Sequence, residues 1–207
     1  MIKHIWFDFS DTLTKIDKVK QNELRFSAYA EVTKKDVAED LVKEYLELFE
    51  KSGRGNAAVF TNLGLPADFW SNKVNSIDPK GFYDLAEPIV LEILNKLNKK
   101  YPISIFTNID PIHILSSLGI DNNIFKYIIK AGMVKEPKPS LEGFNLMIEM
   151  SSLPPSSILY IADSVEKDIR PAKSLGIKTC LIYSHSDEAD YCCSSFEEIL
   201  QLRELNI

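Results

Sequence analysis

Polar residues that interrupt apolar runs are the features of this sequence able to do chemistry. "WFDFSDTLT" halts an aromatic-rich run at Asp8, and Ser10, Asp11 and Thr12 follow at once. "ISIFTN" ends in Thr107 and Asn108, "GMVKEPKPS" holds Lys135 and Lys138, and "ILYIAD" ends in Asp163 with Asp168 five residues on. Each feature alone has an ordinary reading, because Asp, Ser and Thr cap strand ends by bonding to nearby backbone. The ordered set says more. If the runs are neighbouring parallel strands, two carboxylates, a hydroxyl and an ammonium group converge on one sheet edge. Asp8 is then either a nucleophile at a strand end or a polar turn after a buried strand.

Periodicity supplies the elements that would hold these groups. His4 to Phe9 reads as a buried strand. From about Lys18 to Trp70 the texture is helical without obvious strands: "DVAEDLVKEYLELFEK" spaces Val37, Leu41, Tyr45 and Leu48 on one face. "SGRGN" interrupts it, and "PADFWSNKVNSI" predicts a helix with Pro66 at its start. From Glu87 helices and strands alternate. "PIVLEILNKLNKK", "PIHILSSLG", "SLEGFNLMIEMS", "DIRPAKSLG" and "SFEEILQLREL" read as helices; "ISIFT", "YIIKA", "ILYIA" and "KTCLIY" read as strands. Pro171 is tolerable if its helix begins near Asp168, since first-turn amides have no intrahelical partner. The alternation predicts an α/β fold, a doubly wound parallel sheet with helices on both faces. Ligands of such sheets sit beyond the carboxyl ends of the strands.

Composition sets outer bounds. At 207 residues and 45% hydrophobic, the chain can bury one good core with a small appended domain. A net charge of −6 with scattered lysines argues against nucleic-acid partners. No apolar stretch approaches the ~18 residues of a membrane span, and the early strand leaves no room for a secretory leader. Cys180, Cys192 and Cys193 fit neither a metal spacing nor a disulfide framework, so a reducing cytoplasm is the expected compartment. His4, His113 and His185 are far apart in sequence and form no motif.

Taken together, the four strand-end motifs resemble those of the haloacid dehalogenase-like hydrolases, a superfamily dominated by magnesium-dependent phosphatases. The likeness covers nearly the whole chain. Asp8, Ser10 and Thr12 match D-x-D-x-T with one departure; Thr107 matches the second motif. Lys138, Pro139 and Phe144 match a K-P-x-x-x-x-F context, which favours Lys138 over Lys135 as the third-motif lysine. Asp163 and Asp168 match G-D-x-x-x-x-D, with Ala162 for the usual glycine. The resemblance implies a Rossmann-like core over residues 1–14 and 84–207 and an all-helical cap over 15–83. It implies Mg²⁺ held by Asp8, the main-chain carbonyl of Ser10, Asp163 and Asp168, and attack by Asp8 on the phosphorus of a small phosphorylated substrate. Lys138 would hold Asp8 and the phosphoryl group, and Thr107 would donate to a phosphoryl oxygen. Ser10, Thr12 and Asn108 are further phosphate-side candidates. The protein is expected to be a monomer or homodimer.

Ser10 is the departure that matters. Family phosphatases carry an aspartate there that protonates the leaving oxygen, help worth typically ~10²–10⁴ in rate. Three readings stay open: Asp11 takes over the proton, the substrates have good leaving groups, or turnover is slow. A 2-haloacid dehalogenase, a phosphonate hydrolase and a non-catalytic binding module are rival classes. Asp163 and Asp168 favour phosphatase chemistry, because two carboxylates facing Asp8 call for a cation. In the cap, Arg54 between two glycines either reaches an anionic substrate group or marks an exposed turn. Arg25 reads as a solvated helix residue, and Phe69 and Trp70 as packing.

Overall fold

The computed structural model describes residues 1–205. "HIWF" lacks any helical periodicity, and β1 (His4–Phe7) is buried at every position, as expected of a strand covered on both faces. It lies at the centre of a six-stranded, wholly parallel sheet. The others are β4 (Ile103–Phe106), β5 (Phe125–Ile129), β6 (Ile158–Ala162), β7 (Lys178–Ile182) and β8 (Tyr191–Cys193), in the order β5-β4-β1-β6-β7-β8. Phe7 pairs with Ile105 on one side and Ile161 on the other. The chain leaves β1 for β4 and β5, then returns to the opposite side as β6. Strand order therefore reverses at β1, and a crevice opens at the carboxyl ends of β1, β4 and β6.

Alternation sends successive side chains to opposite faces. Ile5, Phe7, Ile105 and Ile161 join one buried cluster with Ile93 and Leu97 of α5 (Val90–Asn98). Trp6, Phe106 and Tyr160 join the other, with Phe144 and Met147 of α7 (Glu142–Ser151). Helix α7 sits close to the sheet at Gly143, where an added Cβ would lie 2.1 Å from Phe106 Cζ. Gly143→Ala is therefore expected to cost about 3 kcal/mol, the upper part of the overpacking range. Urea unfolding checks this; an unchanged midpoint would show α7 free to lift away.

Between β1 and α5 the chain forms α1 (Lys18–Thr33), α2 (Glu39–Lys51), α3 (Asn56–Asn62) and α4 (Phe69–Asn75). Asp17 caps α1 by accepting from the amides of Val19 and Lys20 at 2.9 and 3.1 Å. Tyr29, Leu41, Tyr45, Phe60 and Trp70 form the buried interior of this helical insertion. Chain entry and exit are joined by an antiparallel ribbon of β2 (Thr14–Ile16) and β3 (Tyr83–Leu85). That ribbon flanks the stretch from about Lys18 to Trp70 that reads as strand-free and was not foreseen in the sequence; three residues a side is too short for an alternating pattern to register.

Elsewhere the expected elements form with local departures. The helix placed at Pro66 begins at Phe69. α6 spans Ile112–Ser117. "DIRPAKSLG" is preceded by a wide π-type turn over Val165–Ile169, capped by Ser164, which leads into α8 (Arg170–Ser174) with Pro171 in its first turn. β8 was absent from the sequence reading, and the final segment winds as a 3₁₀ turn, Glu197–Gln201, not a full helix. His4 is wholly buried, its Nε2 2.8 Å from Ser104 Oγ, and burial pulls its pKa down to about 4. No helix among the described residues is long and apolar enough to cross a membrane.

Candidate active site

Asp8 follows β1 directly, and its amide donates to the Ile161 carbonyl at 2.9 Å, so the ladder itself fixes the carboxylate at the crevice. Thr107 takes the matching place after β4, its amide bonded to the Ile129 carbonyl at 2.9 Å. Asp163 follows β6. Asp8, Thr107 and Lys138 are almost fully buried, and Asp163 keeps about a quarter of its side chain exposed.

Lys138 is the hub. Its ammonium donates to Asp8 Oδ1 at 2.6 Å, Asp168 Oδ1 at 2.6 Å, Tyr160 Oη at 2.7 Å and the Phe106 carbonyl at 3.1 Å. Four acceptors share three protons, and the Phe106 carbonyl is the most distant. Tyr160 in turn donates to Asp168 Oδ1 at 2.7 Å; burial and the adjacent Asp168 hold its phenol well above the ordinary range, so it stays neutral. Lys135, the competing lysine, is exposed, and its amide donates to Glu142 at 3.0 Å.

Asn108 grips the backbone of the same loop at both ends. Its Oδ1 accepts from the Lys138 amide at 2.9 Å and its Nδ2 donates to the Lys138 carbonyl at 3.1 Å. Its amide thus places Lys138, while one N–H of Nδ2 is not used by these bonds and Asn108 still lines the cavity. The insertion meets this loop too. Gly53, at φ +65°, leaves only 2.9 Å between a would-be Cβ and the Pro139 ring, so "SGRGN" is a close contact between the insertion and the Lys138 loop. Arg54 itself is exposed at the cavity rim, 3.6 Å from Glu50.

Asp8, Asp163 and Asp168 can each offer an oxygen within 4.8 Å of the others. Asp8 Oδ2 and Asp168 Oδ2 are buried without a hydrogen-bond partner. Burial pushes Asp163 up to about 7, with Lys167 opposing and the charges of Asp8 and Asp168 adding to the rise. Thr12 Oγ1 is 3.4 Å from Asp163 Oδ1 as a weak donor. Orphaned carboxylate oxygens of this kind suit a hard divalent cation such as Mg²⁺.

A second ammonium is already present. Lys167 Nζ lies 3.5 Å from Asp168, 3.7 Å from Asp8 and 4.0 Å from Asp163, and these charges hold its pKa well above normal despite burial. Three carboxylates thus face two ammonium groups. The inference that these acids require a divalent ion is weakened to that extent: Lys167 supplies part of the balance. Lys167 and Tyr160 were both missed in the sequence, although Lys167 stands four residues after Asp163, one helical turn away.

Ser10 and Asp11 line the cavity beside Asp8. Asp11 adopts φ +63° and pairs with Lys18, leaving it about one-third exposed and engaged elsewhere. The cavity, about 700 Å³, continues up to the insertion, where Gln21, Asn22, Arg25, Phe49 and Trp70 form part of its wall. Arg25 departs from the solvated reading: its guanidinium packs over Phe26, Phe49 and Tyr45.

Comparison with known proteins adds lineage. The family model described as haloacid dehalogenase-like hydrolase matches residues 5–182. A glyceraldehyde 3-phosphate phosphatase of Methanocaldococcus jannaschii is 35% identical over 72 residues, 31% of this chain and 32% of that protein. The match thus spans about a third of that relative. Among solved structures, a HAD phosphatase from Thermococcus onnurineus superposes with TM-score 0.71 at 18% identity, covering 97% of each chain. A 2-haloacid dehalogenase from Pseudomonas syringae superposes with TM-score 0.64 at 17% identity, again over 97% of each. At these identities the structures speak to the fold alone.

Proposed function

Because the chain belongs to the haloacid dehalogenase-like hydrolases, we propose that it is a Mg²⁺-dependent phosphohydrolase acting on a small phosphorylated metabolite. The observation that carries this reading is Asp8, with one oxygen held by Lys138 and the other buried without a hydrogen bond, 3.7 Å from Lys167, within a cluster of three carboxylates. The helical insertion over 15–83 is the cap, and 1–14 with 84–207 form the catalytic core.

In this scheme Asp8, the Ser10 carbonyl, Asp163 and Asp168 would hold Mg²⁺, which when bound would supply neutralisation of charge between carboxylate and phosphate. Asp8 forms a bond to phosphorus as the ester P–O bond breaks, giving an aspartyl-phosphate and an alkoxide. The alkoxide takes a proton from water at the cavity mouth. A second water then adds to phosphorus, releasing inorganic phosphate and restoring Asp8. Lys138 orients Asp8 and stabilises the transferring oxygens, with Thr107 donating its hydroxyl; Ser10 lines the phosphate side, whereas Thr12, expected there too, is buried off the cavity and bears on Asp163 instead.

Ser10 cannot protonate the departing oxygen near neutral pH, and Asp11 is turned to Lys18. Rates should therefore depend strongly on the leaving group. Acetyl phosphate and para-nitrophenyl phosphate are expected to be hydrolysed in Mg²⁺ and not after chelation, with simple alkyl phosphates slower by roughly the ~10²–10⁴ that acid catalysis supplies. Phosphate release assays with each class check this. No phosphate release from either activated ester would overturn the assignment.

Lys167 favours one second reading. A resident ammonium within 4.0 Å of all three carboxylates is the counter-ion that metal-free dehalogenation would use. There Asp8 would displace halide from a 2-haloacid, and water would hydrolyse the resulting ester. Chloride release from 2-chloropropionate, undiminished by chelation, distinguishes this reading from the first.

A further inference from the structure

Arg25 lines the same cavity as Asp8 and Lys138 but belongs to α1 of the helical insertion. It follows Gln21 by one helical turn on α1, so both project from one face, with Asn22 beside them. Its guanidinium carbon lies 5.0 Å from the Phe26 ring centre, 5.1 Å from Phe49 and 5.5 Å from Tyr45. Three rings thus fix the direction of a long side chain that is otherwise free to move.

What Arg25 lacks is an anion. Its Nε is buried without an acceptor, and among the described residues no carboxylate or carbonyl bonds the guanidinium. Two other arginines of the chain are differently served, and Arg203 is exposed to water. Arg170 holds Glu188 through two bonds of 2.6 and 2.7 Å, and Arg54 lies 3.6 Å from Glu50. Burial draws the Arg25 pKa down, with Tyr45 opposing weakly, yet a guanidinium stays charged at any ordinary pH. A partly buried, oriented and unpaired cation facing a cavity is a costly arrangement unless a ligand completes it. The cavity of about 700 Å³ has room for a small metabolite to reach from Asp8 to the cap wall.

We infer that Arg25 binds a second anionic group of the substrate, a carboxylate or phosphoryl group at the end remote from the phosphoester. The inference rests on the phosphoester lying at Asp8, as proposed above. It narrows the substrate class to doubly anionic phosphoesters and assigns Arg25 as the residue that selects them. Gln21 and Asn22 offer amide donors and acceptors for hydroxyl or carbonyl groups between the two ends.

Three-carbon compounds of matched length test this: glycerol 3-phosphate with a neutral far end, 3-phosphoglycerate with a carboxylate, and glycerol 1,3-bisphosphate with a second phosphate. Calorimetric affinities are measured on the Asp8→Asn protein in Mg²⁺, where turnover cannot blur binding. Against glycerol 3-phosphate, tenfold or tighter binding of at least one doubly charged compound is expected. Which one is preferred identifies the second anion.

In an Arg25→Met background, which keeps apolar contact with the rings, that preference should fall to within about twofold; Arg25→Lys should keep part of it. Circular dichroism confirms that each variant is folded, and the lysine variant serves if the methionine one is not. Equal affinity for all three compounds, a preference kept above about twofold in Arg25→Met, or one undiminished in Arg25→Lys would overturn the inference. Failure of phosphate release in the separate Mg²⁺ assay overturns the proposed reaction instead, because the binding preference is read without catalysis.

Discussion

Asp8→Asn is expected to lower phosphate release by about 10⁴-fold or more while leaving the protein folded. The scale is that of removing a covalent nucleophile, whose loss no neighbouring group makes good. Asn has the shape of Asp, and its Oδ1 can still accept from Lys138, which retains Asp168, Tyr160 and the Phe106 carbonyl as acceptors. The amide cannot attack phosphorus. Stability should move little, because the change removes one charge from three crowded carboxylates and also one partner from Lys138. Steady-state phosphate release and thermal unfolding on one preparation check both halves. A variant as active as the parent would reject Asp8 as nucleophile, and one that unfolds would show Asp8 to be structural first.

How much of this was legible in the sequence depends on how far apart the cooperating residues lie. β1, β4 and β6 announced themselves because strands buried on both faces read as unbroken apolar runs, and the first polar residue after each marks the site edge. Asp8, Thr107 and Asp163 followed from that alone. Lys138 needed its context: Phe144, six residues on, packs edge-to-face on Phe106 and Tyr160 beneath the ammonium, which is what the Lys-Pro spacing encodes. Lys167 resembles a solvated lysine on a charged turn until the end of β6 brings it over Asp8. Arg25 shows the same limit. Its helix is charged on several faces, and only the packing of α1 on α2 places Tyr45 and Phe49 against it. Ser10 stands out in the sequence as a departure from the motif, but whether Asp11 compensates was undecidable without seeing Lys18 beside it.

Lys138→Met is the substitution with the largest expected effect on stability, about 3–5 kcal/mol, the usual result of stripping one partner from a buried ion pair. Methionine fills much of the volume and keeps contact with the Phe106 ring, so the loss is electrostatic and not a cavity. Asp8 and Asp168, both nearly inaccessible, would each lose a bond of 2.6 Å; Asp8 would keep Lys167 at 3.7 Å, and Asp168 would keep Lys167 at 3.5 Å and the Tyr160 hydroxyl at 2.7 Å. Catalysis should also fail, since neither Asp8 nor the phosphoryl oxygens would have their ammonium. Adding Asp168→Asn separates the causes: it removes the charge left unpaired and should restore on the order of 1–2 kcal/mol, within the range of coupling between contacting residues. Activity should stay lost in that double variant, because Asp8 still lacks its orienting donor. Urea unfolding with an unchanged slope gives the free energies. If Lys138→Met alone were as stable as the parent, Lys167 would be sufficient counter-ion for the whole cluster. The same outcome would favour the metal-free reading, since a lysine able to carry that burden leaves little call for a divalent ion.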